Sequence, residues 1–370
     1  MAVGDIMLGE RLAQALAEQP PAWLFENVQP LFLTADALVG NLECPLLDSQ
    51  PSRKSQAVTP LRAPVGSSLA ALRAGGFSAL CLANNHILDF GQEGLNSTLD
   101  GLRMAGLKLF GAGRNLQEAQ APLRLDYKEL KLSLLGFCPS YNASAETGGT
   151  APYNVRSICS LVEEERKHAN VVVVSLHCGV EYSDYPTPRF VREARRILKA
   201  GAQVILGHHP HVVQGVERHR ESIIAYSLGN FAFDMGPAGP MAAYSSSLMA
   251  KKYGLAFSPN DNRINEAMIL ELELGSNGVT GHKIHPIVIA DDFRPSLPSS
   301  CQLSALIERI ETIGKNIGNL SIPMNRILRR IDRDHAFDYW KERLADLWPK
   351  SVLKTGGRQV SKLLDPSRRR

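Results

Sequence analysis

Short apolar runs bounded by Gly, Asn or Pro alternate along the chain with amphipathic stretches of helical period. This alternation is typical of an α/β protein, in which buried strands are covered by helices. The predicted strands are Ala2–Asp5, Ala37–Asn41, Ala79–Ala83, Lys131–Phe137, Val171–Leu176, Gln203–Leu206 and Ser222–Tyr226. The predicted helices are Pro64–Ala74, Glu93–Ala105, Ser157–His168 and Pro188–Ala200.

Three further segments, Ala121–Tyr127, Glu266–Leu274 and His282–Ile289, have a period near two and are predicted antiparallel strands. Together these elements predict a two-sheet α/β sandwich with four layers in the order α/β/β/α. From about Cys301 the composition changes to helix formers with Leu and Ile at heptad-like spacing. We therefore expect a helical C-terminal appendage over 301–370, which ends in three consecutive arginines.

The composition is that of a soluble globular protein, because 44% of the 370 residues are hydrophobic and 21% are charged. A formal net charge of +4 is too small for this length to indicate a nucleic-acid partner. No run approaches the roughly 18 uncharged apolar residues of a transmembrane helix, and no secretory signal is visible. We expect a cytoplasmic protein, which leaves peripheral association with a membrane open. The six cysteines lack CxxC spacing and are expected to be reduced core residues.

Polar residues that could bind a metal follow five of the predicted strands. Because ligands of α/β sheets bind outside the carboxyl ends of the strands, we expect these side chains to converge. Carboxylate, amide and imidazole groups together suit Mn, Fe or Zn. The five groups are Asp5; Asn41 with Glu43; Asn84, Asn85 and His86; His177; and His208, His209 and His211.

The strongest of these signals is the run Gly207-His208-His209-Pro210-His211, with three histidines in four positions after a buried strand. A single Asp in such a place is usually a turn former or a helix cap, and a single His is usually a hydrogen-bonded core residue. In an extended segment, His209 and His211 would point to the same side. A structural explanation for that arrangement is poor, so we predict metal ligation there if carboxylates lie nearby.

Six motifs in one order resemble the CapA/PgsA-type poly-gamma-glutamate (capsule) biosynthesis family, a branch of the calcineurin-like metallophosphoesterases. The resemblance covers roughly residues 1–290 and implies a metallophosphoesterase-like sandwich domain over that range. The motifs are Gly4-Asp5, Gly40-Asn41-Leu42-Glu43, Asn84-Asn85-His86, a strand ending in His177, Gly207-His208-His209-Pro210-His211 and Ser227-Leu228-Gly229-Asn230-Phe231.

The resemblance also implies one or two divalent transition-metal ions, Mn, Fe or Zn. The chain departs from the metallophosphoesterase pattern at two positions, as looks typical of the capsule branch. Met7 stands where a histidine ligand is expected, and Asn41 stands where a bridging aspartate is expected. Glu43 is then the only carboxylate of its motif. The implied metal ligands are Asp5, Glu43, Asn85, His177, His209 and His211.

His86 matches the histidine for which the resemblance implies a catalytic role, in which a protonated imidazole stabilises a phosphoryl oxygen or protonates the leaving group. The alternative is that His86 only donates a hydrogen bond behind the ligands. These roles belong to two functions. The first is a metal-dependent hydrolase that uses a metal-activated water on a phosphoester or gamma-glutamyl-type substrate, either a small molecule or a polymer. The second is a non-catalytic component of a polymer synthesis or export assembly, with partners in that assembly. Met7 and Asn41 favour the second function, whereas retention of His86 favours the first.

Overall fold

The computed structural model describes residues 1–48, 60–234, 262–319 and 325–334. The chain divides into two compact units, the first formed by Met1–Pro186 with Phe190–Asn319 and the second by Thr187–Arg189 with Leu320–Arg370. The described part of the second unit contains a helix over 325–334. Within this unit, the Arg189 backbone N–H donates to the Asp332 carboxylate at 3.0 Å. None of the helices in the described ranges is long and apolar enough to cross a membrane.

The first sheet has eight strands within the described residues, in the order β16-β15-β14-β1-β2-β3-β4, and β13 also pairs with β1. The pairings of β1, β2, β3, β4 and β13 are parallel, whereas β14, β15 and β16 are joined by antiparallel pairing. The strands are β1 (Ala2–Met7), β2 (Val39–Leu42), β3 (Ala79–Cys81), β4 (Lys108–Phe110), β13 (Asn230–Phe233), β14 (Glu266–Gly275), β15 (Gly278–Ile289) and β16 (Pro295–Ser296).

The second sheet has six strands in the described chain, in the order β11-β12-β10-β9-β7-β6. Its centre is parallel and its two edge strands are antiparallel to their neighbours. The Val-rich β9 is buried along its whole length, as expected for a parallel strand covered on both faces. The strands are β6 (Leu123–Tyr127), β7 (Leu130–Phe137), β9 (Val171–His177), β10 (Val204–His208), β11 (Val216–His219) and β12 (Ser222–Ala225); β5 (Ala112–Gly113) pairs separately with β8 (Gly149–Thr150).

Three hydrophobic cores define four layers. One core lies between the sheets, a second lies between the first sheet and α1 to α4, and a third lies between the second sheet and α6 and α7. The predicted α/β/β/α sandwich is therefore confirmed. The helices are α1 (Glu10–Glu18), α2 (Gln29–Phe32), α3 (Val65–Ala74), α4 (Gly91–Met104), α5 (Leu116–Gln120), α6 (Val155–Glu165), α7 (Pro188–Lys199) and α8 (Ser300–Asn316).

The division of the chain into residues 1–290 and 301–370 stays a prediction, and one helix of the second range packs on the first. Helix α8 belongs to the first compact unit, because its apolar side places Leu306 and Ile310 in the core between the sheets. A capping box between Ser299 and Gln302 begins this helix. The predicted amphipathic segment Phe337–Leu347 and the arginine tail lie outside the described residues.

A close backbone approach joins the two sheets where their strands end. After β12 the chain passes through Ser227 to Gly229 and enters β13 of the other sheet. A Cβ atom on Gly4 would lie 1.9 Å from the carbonyl oxygen of Gly229, and one on Gly207 would lie 1.9 Å from that of Tyr226. Only glycine fits at such distances. The two glycines therefore bring the carboxyl ends of β1 and β10 to one place.

Candidate metal centre

Asp5 anchors a buried polar cluster at the carboxyl ends of β1 and β10. Its Oδ1 accepts hydrogen bonds from Asn41 Nδ2 at 2.8 Å and from His208 Nδ1 at 2.9 Å. Its Oδ2 accepts from the backbone N–H of His209 at 3.1 Å. Burial opposes ionisation, but the His208 hydrogen bond and the neighbouring imidazoles hold the pKa of Asp5 well below its usual range. Asp5 is therefore a carboxylate anion.

Glu43 follows β2 and is fully buried. Neither of its carboxylate oxygens has a hydrogen-bond partner among the described residues. Its Oε1 lies 3.4 Å from His177 Nε2, 3.8 Å from His211 Nε2 and 4.0 Å from His86 Nε2. Burial, followed by repulsion from Asp5, raises the pKa of Glu43 well above its usual range. The ionised form of Glu43 is therefore unfavourable in this position, and a bound cation would stabilise it.

Two imidazoles next to these carboxylates have a lowered pKa, which favours their neutral form. Burial and the neighbouring His209 lower the pKa of His177, which ends β9. Burial lowers the pKa of His209 to about 4. The Nε2 atom of His177 lies 2.7 Å from Asn85 Oδ1, while its Nδ1 faces the Asn41 amide at 3.2 Å. Because a metal binds neutral imidazole, both side chains are suited to be ligands.

His209 and His211 were expected to point to the same side on the assumption of an extended segment. That assumption is wrong, because the turn after β10 is not extended. The φ angle is +94° at His209 and +58° at His211, in the left-handed region that residues other than glycine rarely adopt. This backbone nevertheless places the two ring centroids 6.0 Å apart. The His211 ring is held by Asn230, whose Oδ1 lies 2.9 Å from Nδ1.

Carboxylates and imidazoles in the described residues form three groups whose ligand atoms lie within 4.8 Å of one another. Mixed oxygen and nitrogen ligands of this kind suit divalent transition metals. With the uncompensated Glu43 carboxylate beside them, the side chains fit the metal that the resemblance implies. The groups are Glu43, His177 and His209; Asp5, Glu43 and His211; and Glu181, His209 and His211.

His86 lies next to this cluster and is oriented by an acid. Its Nδ1 lies 2.7 Å from Asp89 Oδ2, and its backbone N–H donates to Asn84 Oδ1 at 3.1 Å. The same Asp89 oxygen accepts from the backbone N–H of Leu61 at 2.7 Å. Because Asp89 accepts the hydrogen bond from Nδ1–H, the ring is held with Nε2 towards Glu43.

The structure brings the six predicted ligands and His86 into this one cluster, and it adds four residues that are not among the predicted ligands: Asp89, Glu181, His208 and Asn230. Asp89 could have been found, because it follows His86 by three residues in a buried segment. His208 and Asn230 stand in the quoted motifs, but no pattern distinguishes a side chain that supports a ligand from a ligand. Glu181 gave no signal at all, because its position depends on the path of the turn after β9.

The sandwich and its edge define a class of α/β protein with a buried carboxylate and imidazole cluster where two sheets meet. The family model described as bacterial capsule synthesis protein PGA_cap matches residues 1–235, and the chain belongs to this family.

Two relatives carry names from the same process. The chain is 33% identical over 244 residues to the capsule biosynthesis protein CapA of Bacillus anthracis, covering 63% of this chain and 59% of that protein. It is also 33% identical over 241 residues to the PGA biosynthesis protein CapA of Bacillus subtilis (strain 168), covering 63% of each. The match therefore spans about three fifths of the length of these relatives. Among solved structures, a novel phosphatase from Mycoplasma pneumoniae aligns with a TM-score of 0.46 and 16% identity, over 78% of this chain and 92% of that chain.

Proposed function

We propose that this chain is a metal-dependent hydrolase of the metallophosphoesterase type, which acts on a phosphoester or gamma-glutamyl-type substrate in capsule or poly-gamma-glutamate metabolism. The orientation of His86 is the observation that supports this most directly. Asp89 holds the ring at 2.7 Å so that Nε2 points to Glu43. A metal site kept only for folding needs ligands, but it has no use for an oriented imidazole beside them.

In this proposal Asp5, Glu43, Asn85, His177, His209 and His211 hold one or two divalent ions of Mn, Fe or Zn. When bound, such an ion polarises the oxygen of the scissile group and lowers the pKa of a water molecule to give the nucleophile. The ligands are preorganised by hydrogen bonds rather than by the ion alone. His208 and Asn41 both donate to Oδ1 of Asp5 and so fix the orientation of the carboxylate. Asn230 fixes the His211 ring.

His86 carries the proton transfer in this proposal. Its Nδ1–H donates a hydrogen bond to Asp89, so in the protonated imidazolium Nε2–H is the group that would donate a proton to the leaving group or a hydrogen bond to the substrate. The residue is only 6% exposed, which keeps bulk water from competing for that atom. A positioned general acid of this kind contributes typically 10²–10⁴-fold to turnover.

A second candidate function, a non-catalytic component of a polymer synthesis or export assembly, is favoured by the two departures from the superfamily pattern. Met7 is buried, and its Sδ accepts from the backbone N–H of Gly9 at 3.1 Å. The side-chain amide of Asn41 donates hydrogen bonds to Asp5 Oδ1 and His177 Nδ1. Neither residue supplies the imidazole or the carboxylate of the superfamily pattern, as would be expected if the metal site had degenerated.

His86→Ala separates the two functions. If the chain is a hydrolase, the variant should retain its metal and fold while losing on the order of 10²-fold or more in turnover. Metal content and the hydrolysis of generic phosphodiester, phosphomonoester and gamma-glutamyl amide substrates should be measured on one preparation. His168→Ala is the matched control, because His168 is exposed and pairs with Glu164 on α6.

Unchanged turnover in metal-loaded His86→Ala protein would remove His86 from the mechanism. A wild type that stays inactive after reconstitution with Mn, Fe and Zn would favour the assembly component.

A further inference from the structure

We propose that Glu181, with His209 and His211, forms a second cation subsite at the more exposed side of the cluster, specific for a divalent transition metal. This proposal depends on the proposed function in one respect, which is that the buried cluster must bind a metal. The ligand atoms of the three residues lie within 4.8 Å of one another. Glu181 and His209 are partly exposed, whereas Asp5 and Glu43 are fully buried. The subsite is therefore the one from which an ion can exchange with solvent more easily.

The superfamily pattern holds its second ion with a histidine and a bridging carboxylate, and this chain has neither at those positions. Met7 stands at the histidine position and accepts a hydrogen bond from its own turn, at Gly9. Asn41 stands at the bridging position and donates to Asp5 and His177. A second ion thus needs another carboxylate, and Glu181 is the additional one that lies within reach of the histidines.

Backbone hydrogen bonds between two turns place Glu181 there. The turn after β9 donates from Cys178 N–H to the His208 carbonyl at 3.1 Å and from Tyr182 N–H to the Pro210 carbonyl at 2.7 Å. The Gln214 side-chain amide donates a hydrogen bond to the Ser183 carbonyl of the same turn at 2.7 Å. The position of Glu181 relative to the histidine turn is therefore set by the backbone on both sides of it.

Both turns carry unusual backbone conformations at the residues that matter. The φ angles are +136° at Gly179, +61° at Tyr182, +94° at His209 and +58° at His211. Left-handed conformations of residues other than glycine are strained and persist where the surrounding structure enforces them. Their concentration in two adjoining turns is typical of a binding site rather than of a simple connection.

The donor atoms of the two histidines are compatible with this subsite. Asn230 occupies Nδ1 of His211, so Nε2 is the atom left for a ligand bond. The Nδ1 atom of His209 is buried and has no hydrogen-bond partner in the described parts of the chain. His209 belongs both to the subsite and to the group with Glu43 and His177. A neutral imidazole binds a metal through one nitrogen, so His209 would be a ligand of one of the two ions and a neighbour of the other.

Glu181→Gln tests the subsite, because the change removes the charge and keeps the shape. Metal-free protein is titrated with Mn²⁺ by calorimetry, and electron paramagnetic resonance at two equivalents reports whether neighbouring ions couple. We expect two binding events and a coupled spectrum for the wild type. Glu181→Gln should keep the tighter event, weaken the other by about tenfold or more, and lose the coupling.

Asp184→Asn is the matched control, because Asp184 lies in the same turn but pairs with Arg263 instead of facing the histidines. This variant should retain both events. Two unchanged binding events in Glu181→Gln would overturn the subsite. If the wild type instead binds a single ion with an affinity that Glu181→Gln does not change, that result would also overturn the subsite, but it would be compatible with a one-metal hydrolase. A wild type that binds no Mn²⁺, Fe²⁺ or Zn²⁺ would overturn the subsite and the proposed function together.

Discussion

The Glu43 side chain shows most clearly what the cluster is built to bind. It carries a carboxylate to a fully buried position where neither oxygen has a hydrogen-bond partner within the described residues. Leaving such a group unpaired costs at least about 1–3 kcal/mol. The nearby side-chain nitrogens, Nε2 of His177 at 3.4 Å and Nε2 of His211 at 3.8 Å, make no hydrogen bond with it. A divalent cation would satisfy the carboxylate and the imidazoles at once, which is the physical basis for the proposed metal centre.

His209→Ala should remove most of the bound transition metal and lower the melting temperature, because His209 belongs to two of the three ligand groups. Metal bound to the native state stabilises it by about 2.7 kcal/mol when the free ion is at 100 times its Kd. Metal analysis and thermal unfolding, with and without a chelator, measure both effects.

His219→Ala is the comparison for that experiment. His219 lies on the edge strand β11, partly exposed and beside Glu217, so the change should alter stability by no more than about 0.5 kcal/mol. The chelator should abolish most of the difference in melting temperature between wild type and His209→Ala. Equal metal content in wild type and His209→Ala protein would contradict the assignment of His209 as a ligand.

The strands deliver these residues through the tight crossing of the chain between the sheets. The carboxyl ends of β1 and β10 meet because Leu228 donates to the Gly207 carbonyl at 3.2 Å and Asp5 donates to the Gly229 carbonyl at 3.0 Å. Parallel pairing then aligns Asp5 with Asn41 and His208 with His177. The metal ligands are therefore positioned by backbone contacts of the two sheets.

Gly207→Ala should damage both the fold and the site, because its Cβ would lie 1.9 Å from the Tyr226 carbonyl oxygen. Overpacking of this kind costs typically 1–3 kcal/mol or more, and any shift of β10 would move His208 and His209. Chemical denaturation and metal content measure the two effects.

Gly66→Ala is the matched control, because a Cβ on Gly66 in α3 meets no atom within 4 Å. This change should stabilise the protein by roughly 0.5–1 kcal/mol through helix propensity. A Gly207→Ala protein with wild-type stability and metal content would show that the crossing does not position the site.

The sequence predicts the elements well where burial dictates the pattern. Val171–Leu176 is a continuous apolar run, and the strand observed there, Val171–His177, differs by one residue. The alignment of Asp5 with Asn41 and of His177 with His208 could be predicted, since parallel strands of one sheet end at one edge. The left-handed turns at His209 and Tyr182 could not, because no residue type requires them there. Glu181 was missed for this reason.

At the scale of the whole molecule, the four layers together with α8 form the first compact unit. The family match ends at residue 235, before β14, β15 and α8. The strand β14 pairs with β1 and therefore borders the strand that carries Asp5. We propose that residues 1–290 form the metallophosphoesterase-like domain and that residues 301–370 are an appendage to it, of which α8 packs on the core between the sheets.

The most direct test of the central claim measures metal content and hydrolysis on one preparation of wild-type protein. We expect one or two equivalents of Mn, Fe or Zn per chain, phosphoesterase or gamma-glutamyl hydrolase activity, loss of both on chelation, and recovery of both on adding metal back. Protein that binds none of these ions and hydrolyses none of the substrates after reconstitution would contradict the account.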